Sequence, residues 1–249
     1  MIKTYLVLLF LGHIIGDFYF QTDTMSNMKI KSMKCLCVHS LLYFLAMLIV
    51  LLPIWNSSYI LVMLIISISH FLIDIIKVAV LKRKYNVHDS FNETRLFFAD
   101  QILHAVVIIA SSVYMLKHLP AVKFHESFSD AMNIFGLDCN FVISLTLLFL
   151  LNAKPYNIII KRIIGKYITH TTQKSDSIKG TGAAIGTLER WIITIFFIIA
   201  QYSSIGLVLT AKSIARYNEI ATEKDFAEYY LLGTLISTIL AIVSAILII

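Results

Sequence analysis

The stretch Leu11-Gly12-His13-Ile14-Ile15-Gly16-Asp17-Phe18-Tyr19-Phe20-Gln21 sets a histidine and an aspartate four residues apart in an otherwise apolar run. Four residues is about one helical turn, so a helix presents both side chains on one face. The run around them suits a lipid bilayer, where an ionisable group without a partner is costly. Two more pairs answer that cost: His70-Phe71-Leu72-Ile73-Asp74 and, in reverse order, Asp100-Gln101-Ile102-Leu103-His104.

Working outward, composition sets the class. The chain is 58% hydrophobic and only 14% charged, with 9 Gly and 3 Pro in 249 residues, which lies outside the range of soluble globular domains. It reads as all-α, a polytopic transmembrane helical bundle. Hydropathy predicts spans at 3–21, 34–53, 58–81, 95–116, 138–160, 184–211 and 228–249, each near the ~20 residues that a bilayer core demands. Lys154-Pro155 interrupts the fifth, and residues 155–167 also read as an amphipathic helix in the interface. The count is therefore seven spans, or six. The short connections predict one integral membrane domain over 1–249, with a four-helix half at 1–116 bearing the His/Asp pairs and C-terminal helices at 138–249. The first apolar run follows Lys3 as a signal peptide would, but it carries His13 and Asp17 and leads into Gln21-Thr22-Asp23 without a small-residue cleavage site, so it reads as a retained span.

Charge distribution predicts the orientation. The loops 22–33, 82–95 and 161–183, with Lys34 and Lys154 beside them, hold 13 of the 21 Lys and Arg. Those loops are expected on the cytoplasmic side of an inner or plasma membrane, with the N-terminus outside. The net charge of +6 is then a topology signal and not a nucleic-acid footprint. Lys82-Arg83-Lys84 belongs to that signal, and His88, His118, His125 and His170 read as solvated loop residues. Three cysteines, Cys35, Cys37 and Cys139, make no disulfide framework.

Depth ties the pairs together. At about 1.5 Å per helical residue, measured from the basic-loop end of each span, His13, Asp17, His39, His70, Asp74, Asp100 and His104 all fall roughly 6–16 Å inside. Glu189 in the sixth span falls in the same layer. Imidazole and carboxylate at one-turn spacing on several helices is how bundles build metal sites. The donor set suits a divalent ion, Zn²⁺ first and Mn²⁺ or Fe²⁺ next, and the absence of Cys from the layer argues against thiolate ligation. Four His and three Asp exceed one tetrahedral shell, so one or two ions are expected, or some members orient the others. His13, Asp17, His70, Asp74, Asp100 and His104 are the expected ligands. His39 and Glu189 are expected as ligand, orienting group or general acid/base, and Gln21 and Gln101 as acid/base or positioning groups.

The sixth predicted span opens on Gly182-Ala183-Ala184-Ile185-Gly186-Thr187-Leu188-Glu189-Arg190-Trp191. Gly182 and Gly186 form a G-x-x-x-G pattern that permits close helix approach. The adjacent Glu189 and Arg190 point about 100° apart and face different partners. Lys212 and Arg216 share a face at the membrane edge, where they either snorkel or clamp an anionic head group. The chain carries no phosphate-binding loop, dinucleotide fingerprint, nucleophile elbow or H-E-x-x-H pattern.

Several blocks recur in a recognisable order: His13-x-x-Gly16-Asp17-Phe18 with Gln21 and a Lys-rich turn before His39, His70-Phe71-x-x-Asp74 with Lys77, and Asp100-Gln101-x-x-His104. Later come Lys154-Pro155-x-Asn157, Gly186 to Arg190, Gln201-Tyr202, Ala211-Lys212-Ser213-Ile214-x-Arg216 and Ala227-Glu228-Tyr229 with Gly233-Thr234. In these the chain resembles a family of bacterial integral membrane proteins catalogued as domain of unknown function 3307. The resemblance implies an integral membrane protein and carries no activity with it. The pairs are also similar in style to those of membrane-bound metal-dependent hydrolases, which is analogy. The expected function is a metal-dependent hydrolase acting on a lipid or lipid-linked substrate, with membrane lipids as its surroundings. A proton- or cation-coupled transporter using the same layer, and a non-catalytic membrane partner protein, are the alternatives.

Overall fold

The structure, a computed structural model, describes residues 2–83, 90–165 and 180–249. Lys84, His88, His170 and the rest of the loop 170–176 lie outside the described residues. Every regular element among the described residues is helical. They form two compact units, Met1–Leu147 and Leu148–Ile249, which divide within one helix.

In the first unit, α1 (Ile2–Ile14) runs into a single π-helical turn (Ile15–Tyr19) and is followed by α2 (Asp23–Lys29), α3 (Met33–Leu51), α4 (Tyr59–Arg83), α5 (Ser90–His118) and α6 (Glu126–Ile134). The first part of α7 (Cys139–Asn152) completes it. Helix α1 packs on α3, α3 on α4, α4 on α5 and α5 back on α1, so these four close a ring. The short α2 starts at Thr22, whose hydroxyl accepts from the Met25 amide, and lies against α3. At one end of the ring the Tyr5 and Tyr59 rings meet edge to face, and the Tyr5 hydroxyl donates to the Pro120 carbonyl at 2.6 Å.

The ring has an apolar outer face and buries its ionisable groups beside an apolar core that includes Leu8, Leu9, Leu36, Met47 and Met63. Helix α4 exposes Leu61, Leu64, Ile65, Ile68, Leu72 and Ile76 while it buries Ser67, His70 and Asp74 along with Val62, Met63 and Ile66. That arrangement suits a surface solvated by lipid and a centre that must satisfy its own polar groups. Among the described residues, seven helical stretches are long and apolar enough to cross a membrane: Ile2–Tyr19, Met33–Ile54, Tyr59–Lys82, Glu93–His118, Cys139–Ile164, Thr181–Ile198 and Lys224–Ile248. The protein is an all-α polytopic bundle, as expected from its apolar runs.

The second unit holds the end of α7, then α8 (Lys154–Ile164), α9 (Thr181–Ile198), α10 (Tyr202–Ala215), α11 (Tyr217–Thr222) and α12 (Lys224–Ile248). Helix α12 packs on α8 and α9, and α10 on α9, around Ile193, Ile205 and Ala241. The chain breaks between α7 and α8 at Ala153, with Pro155 in the first turn of α8. A proline ring clashes with the carbonyl four residues back, so α7 cannot continue through it.

Two expectations need correction. The single span predicted at 184–211 is two helices, because α9 ends at Ile198 and α10 begins at Tyr202. The stop is a Schellman closure: Gln201 donates its amide to the Phe196 carbonyl at 2.8 Å and Ala200 to Phe197 at 3.1 Å, with Ala200 at φ 57°. An alanine in that conformation gives no sequence signal, since glycine is the residue that marks it. The G-x-x-x-G at Gly182 and Gly186 is not a helix contact either. A Cβ on Gly182 would meet nothing among the described residues, and one on Gly186 would meet the Arg190 guanidinium of its own helix at 3.2 Å and, from another helix, only Asn157 Oδ1 at 4.0 Å.

Candidate metal centre

The working glycine pair is the one in the opening stretch. A Cβ on Gly12 would lie 2.6 Å from Met47 Sδ, and one on Gly16 would lie 2.7 Å from the Tyr43 ring and 3.2 Å from its Cα. Two glycines at one-turn spacing therefore let α1 and the π turn lie directly against α3. The π turn, closed by Phe20 donating to the Ile15 carbonyl at 2.9 Å, takes up one residue more than an α turn and re-aims Asp17. His13 and Asp17 accordingly face different partners. His13 sets its two ring nitrogens 3.3 Å from the Tyr43 hydroxyl and 3.3 Å from Gln101 Oε1. Asp17 Oδ1 lies 3.4 Å from His39 Nε2 and 3.6 Å from His70 Nε2.

The other predicted pairs hold at one-turn spacing. His70 Nδ1 is 3.9 Å from Asp74 Oδ2, and His104 Nε2 is 3.4 Å from Asp100 Oδ1. His39 joins from α3, with Nε2 also 3.4 Å from Asp74 Oδ2. The imidazoles crowd together, His70 stacking on His104 with ring centres 4.3 Å apart and on Tyr43 at 3.8 Å. All seven predicted residues, His13, Asp17, His39, His70, Asp74, Asp100 and His104, are buried and belong to the one ring.

Three sets of donors come close enough to share an ion: His13 with Asp17 and His70, His39 with His70 and Asp74, and Asp17 with Asp100 and His104, each within 4.8 Å. Asp17 and His70 each belong to two sets, so the donors form one continuous cluster. Both nitrogens of His39, both of His70, His104 Nε2 and Asp100 Oδ1 are buried with no hydrogen-bond partner among the described residues. Each such atom costs about 1–3 kcal/mol when left unsatisfied. A cation taking their lone pairs removes that cost.

Gln101, together with two lysines to which sequence reasoning gave no role, holds the carboxylates from behind. Gln101 Nε2 donates to Asp17 Oδ2 at 2.9 Å and to Asp100 Oδ2 at 3.2 Å. Gln101, expected as a positioning group, therefore ties two carboxylates together. Lys29, at the end of α2, reaches Asp74 Oδ2 at 2.9 Å, and Lys77 on α4 reaches Asp100 Oδ2 at 2.6 Å. Lys77 follows Asp74 by three residues and Tyr43 follows His39 by four, a helical spacing that could have flagged both. Lys29 had no such signal, since its approach depends on how α2 folds over α3. Gln21 sits half-buried just past the π turn.

Glu189 and the predicted head-group pair belong to the second unit. Glu189 on α9 is bound by the Lys212 ammonium of α10, which also donates to Thr234 at 3.2 Å and lies 5.4 Å from the Tyr230 ring. Arg216 pairs with Glu219 at 3.2 Å, both partly exposed. Arg190 points elsewhere, as its position beside Glu189 requires. It donates to the Asn152 carbonyl at 2.7 Å, to Asn157 Oδ1 at 2.6 Å and to the Ser237 hydroxyl at 3.1 Å. Cys35, Cys37 and Cys139 are all free.

The family described as a protein of unknown function (DUF3307) matches residues 5–133, and the chain belongs to that family. The matched stretch contains all seven cluster residues together with Gln21, Lys29, Lys77 and Gln101, and ends before Glu189. No curated protein and no solved structure matches the chain.

Proposed function

We propose that the protein holds a divalent metal centre within the membrane-spanning ring and acts as a metal-dependent hydrolase on a lipid or lipid-linked substrate. One observation carries the reading: buried imidazole nitrogens and a carboxylate oxygen that lack hydrogen-bond partners are gathered at the middle of a ring whose outer surface is apolar. Polar groups that served only to pack helices would be paired with one another. His13, Asp17, His39, His70, Asp74, Asp100 and His104 are the candidate ligands, with Zn²⁺ the best match to neutral imidazole and carboxylate and Mn²⁺ or Fe²⁺ next. These residues would hold such an ion, which when bound would supply Lewis-acid polarisation of an ester and a more acidic water. Gln101 is the positioning group for Asp17 and Asp100.

Elemental mass spectrometry of protein purified in detergent without chelators tests this. Wild type is expected to retain one or two equivalents of metal, and His70→Ala and Asp100→Ala to lose most of it while still inserting. Absence of metal from wild type, or full retention in both variants, defeats the reading.

A proton- or cation-coupled carrier is the second reading, favoured by the two Lys–Asp pairs inside the layer, the kind of alternating charge that relays use. It predicts flux into proteoliposomes, whereas a hydrolase turns over in detergent with no gradient.

A further inference from the structure

We infer that the substrate of this centre is a lipid phosphodiester and that Lys29 and Lys77 are its phosphate-binding cations, an inference that rests on the metal reading above. Charge balance is the first argument. The cluster sets the carboxylates of Asp17, Asp74 and Asp100 against the ammonium groups of Lys29 and Lys77, which with neutral imidazoles leaves a single negative charge. One divalent ion turns that into a single positive charge. A buried excess charge is costly, so the loaded centre is completed by one anion. A phosphodiester carries one negative charge at neutral pH, and a carboxylic ester carries none.

Geometry is the second argument. Lys29 binds Asp74 Oδ2, the same oxygen that His39 Nε2 and His70 Nδ1 approach at 3.4 and 3.9 Å. Its ammonium therefore competes with an ion for this oxygen, and an ion that takes the oxygen would free Lys29. Lys77 binds Asp100 Oδ2 and leaves Asp100 Oδ1, beside His104, to the cluster. The two ammonium groups thus border the donors from α2 and from α4. Asp74 and Lys29 are almost fully enclosed, but the Lys77 side chain is 24% exposed. Its helix and α5 present Leu72, Ile76, Ile102 and Leu103 outward. That surface accepts acyl chains while the phosphate reaches Lys77.

The reaction balances without a redox partner. The oxygen of a water molecule bonds to phosphorus, the P–O bond to one alcohol breaks, and the proton lost by the water is taken by the departing alkoxide. The products are a phosphomonoester and an alcohol.

Calorimetric titration of Zn²⁺-loaded protein in detergent, with metal content measured on the same samples, tests the inference. The probes are a short-chain dialkyl phosphate, the uncharged trialkyl phosphate of the same chain length, and inorganic phosphate. The dialkyl phosphate is expected to bind best, and only when metal is present. Lys29→Met and Lys77→Met should keep their metal and each weaken that binding by about tenfold, the loss of one charge-assisted hydrogen bond, while Lys29→Arg and Lys77→Arg stay near wild type. Equal binding of charged and uncharged probes overturns the inference, as does unchanged affinity in metal-replete Met variants. Tighter binding of inorganic phosphate than of the diester identifies a free phosphate ligand and also overturns it. A metal-free wild type fails the parent reading at the metal measurement, before any phosphate is added. Should the Met variants not fold, the comparison of charged and uncharged probes on wild type decides.

Discussion

The two units each bury charged side chains in an apolar bundle, and they treat them in opposite ways. Arg190, 1% exposed, spends its donors on a main-chain carbonyl, an amide oxygen and two hydroxyls, and so ties α9 to Asn152, to Asn157 of α8 and to Ser237 of α12. In the first unit His39 and His70, equally buried, have no hydrogen bond on either nitrogen among the described residues. Orphaned atoms exist in the second unit too, at Glu189 Oε1 and Asn152 Oδ1, whose residues have another polar atom engaged, and at the hydroxyls of Tyr230 and Thr238, but these are scattered and include no imidazole. A charged group whose partners are all neutral and all present is part of the scaffold. A cluster of imidazoles that approach carboxylates at 3.4–3.9 Å without a hydrogen bond is what the proposed metal would complete.

Replacement of Arg190 probes that difference most strongly. Arg190→Ala leaves the Asn152 carbonyl and Asn157 Oδ1 unsatisfied beside a cavity, and the expected cost is about 3–5 kcal/mol, read as a large fall in the midpoint of thermal unfolding in detergent. His39→Leu in metal-free protein should be near neutral or stabilising, because two buried nitrogens without hydrogen bonds leave with the imidazole. Equal losses in the two variants would erase the distinction. With metal present, the wild type should gain stability that His39→Leu does not share.

A smaller effect separates the two G-x-x-x-G patterns. Gly16→Ala drives a methyl into Tyr43 where α1 meets α3, with an expected cost of about 1–3 kcal/mol and a loss of metal as Asp17 is displaced. Gly182→Ala meets open space on α9 and should be neutral or stabilise by up to about 1 kcal/mol, since alanine is the better helix former. Unfolding midpoints of the two variants, compared on one protein preparation, rank the patterns directly. A further expected change is a gain: Ala200→Gly relieves a left-handed alanine at the close of α9 and should add about 1 kcal/mol, visible as a rise of a few degrees. A fall in its midpoint would mean that the alanine methyl packs there.

Much of this was legible beforehand, and the reasons are physical. Spans follow from the length of apolar runs, which a bilayer of fixed thickness dictates without reference to tertiary contacts. That His13, His39, His70, Asp74, Asp100 and His104 share one layer follows from depth alone, because helices that alternate in direction place equal depths together. The failures lie where depth and periodicity say nothing. The span at 184–211 read as continuous because Ala200 and Gln201 are ordinary residues in a helical pattern. The pattern at Gly182 looked like a contact because two glycines look alike wherever they stand.

By itself, then, the sequence determined the class, the helical spans and the membership of the polar layer, all of them properties of composition and of distance along a helix axis. The tertiary structure decided which atoms meet. It placed Lys29 on Asp74 and Lys77 on Asp100, turned Asp17 from His13 toward His39 and His70 through one π turn, and gave the close helix approach to Gly12 and Gly16. Those outcomes depend on rotation about helix axes and on packing between elements far apart in the chain, and depth along a helix carries no information about either.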